Sequence, residues 1–82
     1  MKVVSLYIVG ISVDNRSEFG VKVQEVLTKH GENIIARFGI HDSQNGSGII
    51  TLNVRGDKKF MEELAEELTA IPTVTVKYVD LK

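Results

Sequence analysis

The 82-residue chain has no cysteine, no tryptophan and only one proline. Without cysteine it cannot form a disulfide, a thiolate metal site or a thiol nucleophile, and this absence fits the reducing cytoplasm, where we predict the protein. Its charges nearly cancel, with 10 Lys and Arg against 11 Asp and Glu. No positive field therefore draws it to nucleic acid or anionic lipid. No apolar run approaches the ~20 residues that a membrane-spanning helix needs.

The remaining composition is ordinary for a folded protein, with 43% hydrophobic and 26% charged residues. That balance is too apolar for a disordered chain. Because two separate cores would not fit in this length, we predict a single domain over residues 1–82. A domain this small buries only ~60–65% of its unfolded surface, so additional burial through association would stabilise it.

Hydrophobic patterning predicts four strands and two helices in the order βαββαβ. The first helix is predicted over roughly residues 16–30, from an apolar stripe at helical spacing. The second helix begins after Asp57, a suitable N-cap, and ends before Pro72, whose ring cannot continue a helix. Runs rich in β-branched residues predict strands at 3–11, 34–40, 48–54 and 73–79.

This order predicts an α+β fold, the ferredoxin-like plait: a four-stranded antiparallel sheet with two helices on one face. The first and third strands are expected at the centre of the sheet. Alternation along the strands assigns one set of side chains to the helix-covered core. That set is Val4, Leu6 and Ile8 of the first strand, Ile50, Leu52 and Val54 of the third, and Val74 and Val76 of the fourth.

The opposite face of the sheet is predicted to be unusually apolar. An antiparallel sheet normally presents polar side chains to water, and a large apolar patch on a soluble protein usually marks an interface. We therefore predict a homo-oligomer formed through this face, an edge strand, or both. The alternative is that the C-terminal residues or the 41–47 loop cover the face. The predicted interface residues are Val3, Tyr7, Val9, Ile11, Arg37 and Ile49.

Several kinds of chemistry find no support in the sequence. Tyr7 is the only aromatic residue on the two predicted central strands, whereas RNA recognition on this fold needs aromatic platforms. Asn53 and Arg16 are residue types used in acyl phosphate hydrolysis, but the turn at 12–16 has no glycine-rich phosphate nest. We predict no enzymatic activity and no cofactor. His30 and His41 lack partner ligands at metal-binding spacing, so we predict no metal site.

Four stretches resemble the ACT-like family of small regulatory domains, and more narrowly the iron-only hydrogenase system regulators. They are residues 8–11 (IVGI), 34–40 (IIARFGI), 48–54 (GIITLNV) and 71–77 (IPTVTVK). The similarity runs nearly end to end. It implies a regulatory module that assembles as a dimer or tetramer. It also implies a small effector bound near the first turn, where the corresponding residues are Ser12, Val13, Asp14, Asn15 and Arg16.

Two functional hypotheses follow. The first is a regulatory domain that binds a small effector and acts through its oligomeric state or a partner protein. The second is a structural oligomerisation or protein-interaction module with no small ligand. Asn15 also has a simpler interpretation as the N-cap of the first helix, with Glu18 three residues later.

Overall fold

The computed structural model describes residues 4–14 and 16–81, and for Arg16 it describes the backbone alone. Within these residues the chain forms four strands and two α-helices in the predicted order, with a short 3-10 helix, Gly31–Asn33, before the second strand. The strands are β1 (Ser5–Asp14), β2 (Ile34–Asp42), β3 (Ser47–Gly56) and β4 (Val74–Asp80), and the helices are α1 (Arg16–Lys29) and α2 (Lys58–Thr69).

The strands pair antiparallel in the order β2-β3-β1-β4, which places β1 and β3 at the centre as predicted. Both helices pack on the same face of the sheet, so the ferredoxin-like plait is confirmed. Asp57 caps α2 by accepting a hydrogen bond from the backbone N–H of Phe60 at 2.8 Å. This carboxylate satisfies one of the free amides at the helix start, which is why α2 begins where the sequence indicated.

The core between the sheet and the helices contains the predicted residues of β3 and β4. Leu52 and Val54 are fully buried, while Ile50, Val74 and Val76 pack against the core from its margin. The helices contribute apolar side chains that lie at helical spacing along their inner faces. These are Val23 and Leu27 of α1 and Met61, Leu64 and Leu68 of α2.

The predicted facing of β1 is wrong. Tyr7, Val9 and Ile11, which we expected on the open side of the sheet, are at most 4% exposed and lie under the helices. The residues expected in the core, Leu6 and Ile8, are only partly buried on the other side, and Val4 is 51% exposed. Tyr7, Val9 and Ile11 therefore belong to the core and cannot form an interface. Val3 lies outside the described residues.

The error has a simple physical origin in the composition of β1. Both alternating sets of this strand are apolar near its start, so alternation alone does not identify the core side. The strand also runs three residues further than predicted, to Asp14. That extension adds Val13 to the core set, whereas the opposite set continues with Gly10 and Ser12. The helices cover the side of β1 whose alternating set of apolar side chains is longer.

Arg37 also lies on the side opposite to the one predicted. The pairing of β2 with β3 shifts between Ile34 and Ala36, where the strand has an irregularity of the β-bulge kind. The extra residue at the bulge moves each later side chain of β2 to the opposite face of the sheet. Arg37 consequently points to the helix side, where its guanidinium donates a hydrogen bond to the Gln24 side chain of α1.

A polar cluster joins the end of α1 to α2. The imidazole of His30 donates from Nε2 to Oε2 of Glu67 at 2.8 Å, and Lys29 Nζ lies 3.1 Å from Oε1 of the same carboxylate. The His30 ring also meets Phe60 edge to face, with centroids 5.4 Å apart. The hydrogen bond from His30, and then that from Lys29, lowers the pKa of Glu67.

We expect a Glu67→Gln variant to be less stable than the wild type at neutral pH. Because the folded state holds the pKa of Glu67 below its ordinary value of 4.5, the ionised carboxylate stabilises the fold above that value. This stabilisation disappears as the pH falls through the lowered folded-state pKa. The group is partly exposed, so the expected difference is about 0.5–1 kcal/mol in the free energy of unfolding.

Thermal melts of both proteins from pH 7 to pH 2 measure this difference. Glu63→Gln is the matched control, because Glu63 lies on the exposed side of the same helix. The gap between wild type and Glu67→Gln should close at the acid end, while the Glu63→Gln variant follows the wild type throughout. A gap that stays constant across this range would contradict the assignment.

Candidate functional site: an apolar sheet face and a cleft beside the first helix

One side of the sheet carries no helix, and we call it the open face. It receives alternate side chains from all four strands, as their pairing places them. They are Leu6, Ile8, Gly10, Ser12 and Asp14 of β1; Ala36, Phe38, Ile40 and Asp42 of β2; Ser47, Ile49, Thr51, Asn53 and Arg55 of β3; and Thr75, Lys77 and Val79 of β4.

The open face carries an exposed apolar patch, but the residues that form it are not the β1 residues from which an apolar face was predicted. Phe38 is 68% exposed, and Ile40 and Val79 are each more than half exposed. Ile40 lies directly opposite Ile49 across the β2–β3 pair, so their side chains are neighbours. Ile8, with Asn53 and Val79 on either side, extends the patch across the sheet. Exposed apolar surface of this kind is typical of interaction surfaces.

The ends of the open face differ in charge. Asp14 and Asp42 flank Ser47 at one end, where the β2–β3 hairpin begins and β1 finishes. Asn45 Nδ2 donates to Asp42 at 2.8 Å, and this hydrogen bond is the main cause that lowers the pKa of Asp42. Arg55 lies at the other end, opposite Leu6. The face therefore has an acidic end and a basic end.

A cleft lies on the helix side, between the first turns of α1 and the strands β2 and β3. Its volume is about 640 Å³. Gly20, Gly39 and Gly48 leave room where other residues would fill it, and apolar side chains form much of its wall. Polar groups come from Ser17, Gln24 and His41. The cleft is lined by Val13, Ser17, Gly20, Val21, Gln24, Gly39, Ile40, His41, Gly48 and Ile50.

This arrangement suits a small molecule with an apolar body and a hydrogen-bonding end. Gln24 is held in place because its side-chain oxygen accepts a hydrogen bond from Arg37. His41 follows the β2 bulge and sits opposite Gly48, which is why it lies on this side of the sheet. The two residues come from different elements, α1 and β2, so only the folded chain brings them to one cleft.

The residues predicted to bind an effector divide between the two sides of the sheet. Ser12 and Asp14 lie on the open face, away from the cleft. Asp14 joins neighbouring segments: its carboxylate accepts from Ser47 Oγ at 2.8 Å and its carbonyl accepts from Thr73 Oγ1 at 2.6 Å. Asn15 lies outside the described residues, as does the side chain of Arg16. Val13, which the family resemblance also placed near the effector, lies in β1 with its side chain toward the helices, and it lines the cleft.

Of the predicted interface residues that the structure describes, Ile49 alone lies on the open face. The prediction missed Phe38 and Ile40, which are among its most exposed apolar residues. The polar residues Ser12 and Asn53 could have indicated this side of the sheet, because each sits in the same alternating row as the exposed positions. The bulge before Arg37 has no comparable signal in the sequence.

In residues 4–14 and 16–81, no group of three or more His, Cys, Asp or Glu side chains is placed to hold a metal ion. Across the same residues, neither helix is long and apolar enough to cross a membrane.

The fold is a small α+β ferredoxin-like plait, and it is consistent with the ACT-like class of domains. The sequence profile described as "TM1266-like: Iron-only hydrogenase system regulator, putative" matches residues 5–78. The chain belongs to this TM1266-like family. The structure of the uncharacterized protein TM1266 from Thermotoga maritima is 31% identical in sequence, with a TM-score of 0.92, over 98% of this chain and 100% of that one.

Two further structures share the fold at lower identity. A formyltetrahydrofolate deformylase from Pseudomonas putida KT2440 is 18% identical, with a TM-score of 0.62, over 90% of this chain and 28% of the other. An unknown protein from Galdieria sulphuraria is 12% identical, with a TM-score of 0.66, over 98% of this chain and 46% of the other. At these identities the likeness shows the fold alone. No curated protein matches the chain significantly.

Proposed function

We propose that the chain is a cytoplasmic, non-enzymatic regulatory module of an iron-only hydrogenase system and that it works as a homo-oligomer. In this proposal the open face is the contact between copies, and the cleft beside α1 binds a small effector. Family membership supports the regulatory role, and the lack of cysteine fits a reducing compartment. Membranes and nucleic acids are not partners in this proposal.

The observation that carries the proposal is the apolar open face. Covering about 600 Å² of apolar area is worth ~15 kcal/mol before the costs of association. Those costs are about 4–15 kcal/mol, so an interface of this size can form. Phe38 and Ile40 are half exposed or more on this face, and they lose contact with water only when something covers the sheet.

The molar mass in solution tests the oligomeric state. Sedimentation equilibrium over a range of concentrations should give a mass at least twice the 9.1 kDa of one chain. A single 9.1 kDa species up to high concentration would refute the proposal.

Binding of an effector in the cleft is tested by a substitution that fills it. Gly39 faces the cleft, and a Cβ at this position would come no closer than 4.0 Å to the nearest neighbouring atom, the carbonyl oxygen of Ile49. A Gly39→Val variant should therefore fold and assemble normally while its side chain occupies the cleft. We expect it to lose at least about 90% of any ligand-induced rise in melting temperature, since that rise grows with the fraction bound.

Thermal-shift screening of the wild type against amino acids, nucleotides and divalent metal salts finds the ligand, and Gly39→Val is then measured with each compound that shifts. Gly31→Ala is the matched control, because a Cβ there meets nothing within 4 Å and lies away from the cleft. A shift that survives in Gly39→Val places the ligand elsewhere. A stable oligomer with no shift from any compound favours the module without a ligand.

A further inference from the structure

The charges on the open face restrict how two copies can meet. Asp14 and Asp42 lie at the acidic end, opposite Ser47, and Arg55 lies at the basic end, eight residues further along β3. At the rise of an extended strand this separation is ~26 Å. Between these two ends lie apolar side chains, among them Ile8 on the central strand β1 and Phe38 on the edge strand β2. A second copy that covers the apolar patch also brings its own acidic and basic ends against the ends of the first copy.

Two symmetric arrangements bring the open faces of two copies together with their strands aligned. With a two-fold axis that runs along the strands, each end lies over the same end of the partner, and the aspartates meet aspartates. With a two-fold axis that runs across the strands, the ends exchange, so that Arg55 of each copy faces Asp14 and Asp42 of the other. Like charges in contact cost free energy and opposite charges set the register, so the second arrangement is favoured.

We propose that a second copy of this chain covers the open face about a two-fold axis running across the strands. In this dimer β2 lies over β2 of the partner, and Arg55 of each copy meets the acidic end of the other. The inference rests on the proposed function, because it specifies the geometry of that homo-oligomer. The hydrogen bond from Asn45 supports it by favouring the ionised form of Asp42.

The size of the face is compatible with this dimer. Four strands spaced ~4.8 Å apart and about nine residues long span about 500 Å² per copy. Two copies together therefore bury about 1,000 Å², which is near the lower limit for a specific interface. Lys77 lies in the middle row on the edge strand β4, so its two copies approach one another at the rim. Rim charges are screened by water and salt, and this contact weakens the dimer only slightly.

Reversing the charges tests the orientation directly. In Arg55→Glu the new carboxylate faces the partner's aspartates, and in Asp42→Lys the new ammonium faces the partner's arginine. We expect each variant alone to dimerise about tenfold more weakly than the wild type. An equimolar mixture should recover most of the affinity as a heterodimer, because the new carboxylate of one chain then meets the new ammonium of the other. The loss in Arg55→Glu should shrink in about 1 M NaCl, where the Debye length is ~3 Å.

Asp42 also supports the hairpin turn by accepting from Asn45 and from the Gln44 amide. Circular dichroism melts therefore accompany each variant, and Asp14→Lys replaces Asp42→Lys if the latter is unfolded. A fluorescent label on one variant measures the Kd of the mixed pair by sedimentation.

Each result has a distinct meaning. A monomeric wild type refutes the proposed function together with this inference. A wild-type dimer that Arg55→Glu leaves unchanged refutes the orientation only. If Arg55→Glu pairs with the wild type more tightly than the wild type pairs with itself, the axis runs along the strands and like ends meet, because only then does the new carboxylate face the partner's basic end. If the two variants are weakened but their mixture recovers nothing, these ends do not face one another.

Discussion

A Val9→Asp variant should fail to fold, whereas Ile8→Asp, one residue earlier in the same strand, should retain the native secondary structure. Val9 is fully buried beneath the helices, opposite Leu52 of β3. A carboxylate there is removed from water with no partner, which costs several kcal/mol. A chain of this size has roughly 4–12 kcal/mol of total stability, so the loss takes most or all of it.

Ile8 is the matched control, because it lies on the open face between Asn53 and Val79. An aspartate at this position remains in contact with water in the separated chain, and its cost is limited to about 1 kcal/mol of strand preference. Far-UV circular dichroism and urea unfolding of both variants measure the difference. The facing of β1 described above would be wrong if Ile8→Asp unfolded and Val9→Asp did not.

Phe38→Asp should convert the oligomer into monomers without loosening the fold. Phe38 is the most exposed large apolar residue on the open face, and its neighbour across the strand pair is Thr51. Phe38 lies halfway along the edge strand β2. Because β2 covers β2 of the partner in the proposed dimer, a carboxylate there is desolvated in the assembled state and meets the partner's apolar side chains. We expect at least ~100-fold weaker association, equivalent to about 2.7 kcal/mol. The melting temperature measured on the monomer should change little, since the side chain contacts mostly water.

Val21→Asp is the control for this experiment. Val21 is 63% exposed, like Phe38, but lies on α1, on the helix side of the sheet. The Val21→Asp substitution also removes an exposed apolar side chain, and it should leave the molar mass of the oligomer unchanged. An oligomer that tolerates Phe38→Asp but not Val21→Asp would assign the interface to the helices. An oligomer that tolerates both variants would favour pairing at a sheet edge.

The order of elements followed from local patterns in the chain. Two single residues predicted the limits of α2: Asp57 caps its start, and Pro72 follows its end. The strands β3 and β4 could also be assigned to their faces, because in each one the larger apolar side chains share one alternating set. Sequence reasoning succeeded where the local preference and the global fold agree.

The two surfaces that concern function were less accessible to such reasoning. An apolar open face was predicted from the wrong alternating set of β1, because Leu6 and Ile8 are as hydrophobic as Val9 and Ile11. The apolar patch that the face does carry comes mostly from other residues, among them Phe38 and Ile40. The cleft was not predicted at all. The cleft depends on the bulge before Arg37 and on the approach of α1 to β2. Glycines form part of its lining, and a glycine has no side chain that a hydrophobic pattern can assign to either face.

By itself the amino-acid sequence determined the βαββαβ order, the central place of β1 and β3, and the presence of more apolar side chains than a single core can hide. These properties depend on residues close together along the chain. Only the tertiary structure decided which side of β1 the helices cover and that Arg37 turns toward Gln24. It also decided that side chains of opposite charge lie at the two ends of the open face. Each of these depends on strand register, and register is set by contacts between distant segments, where a shift of one residue reverses every side chain.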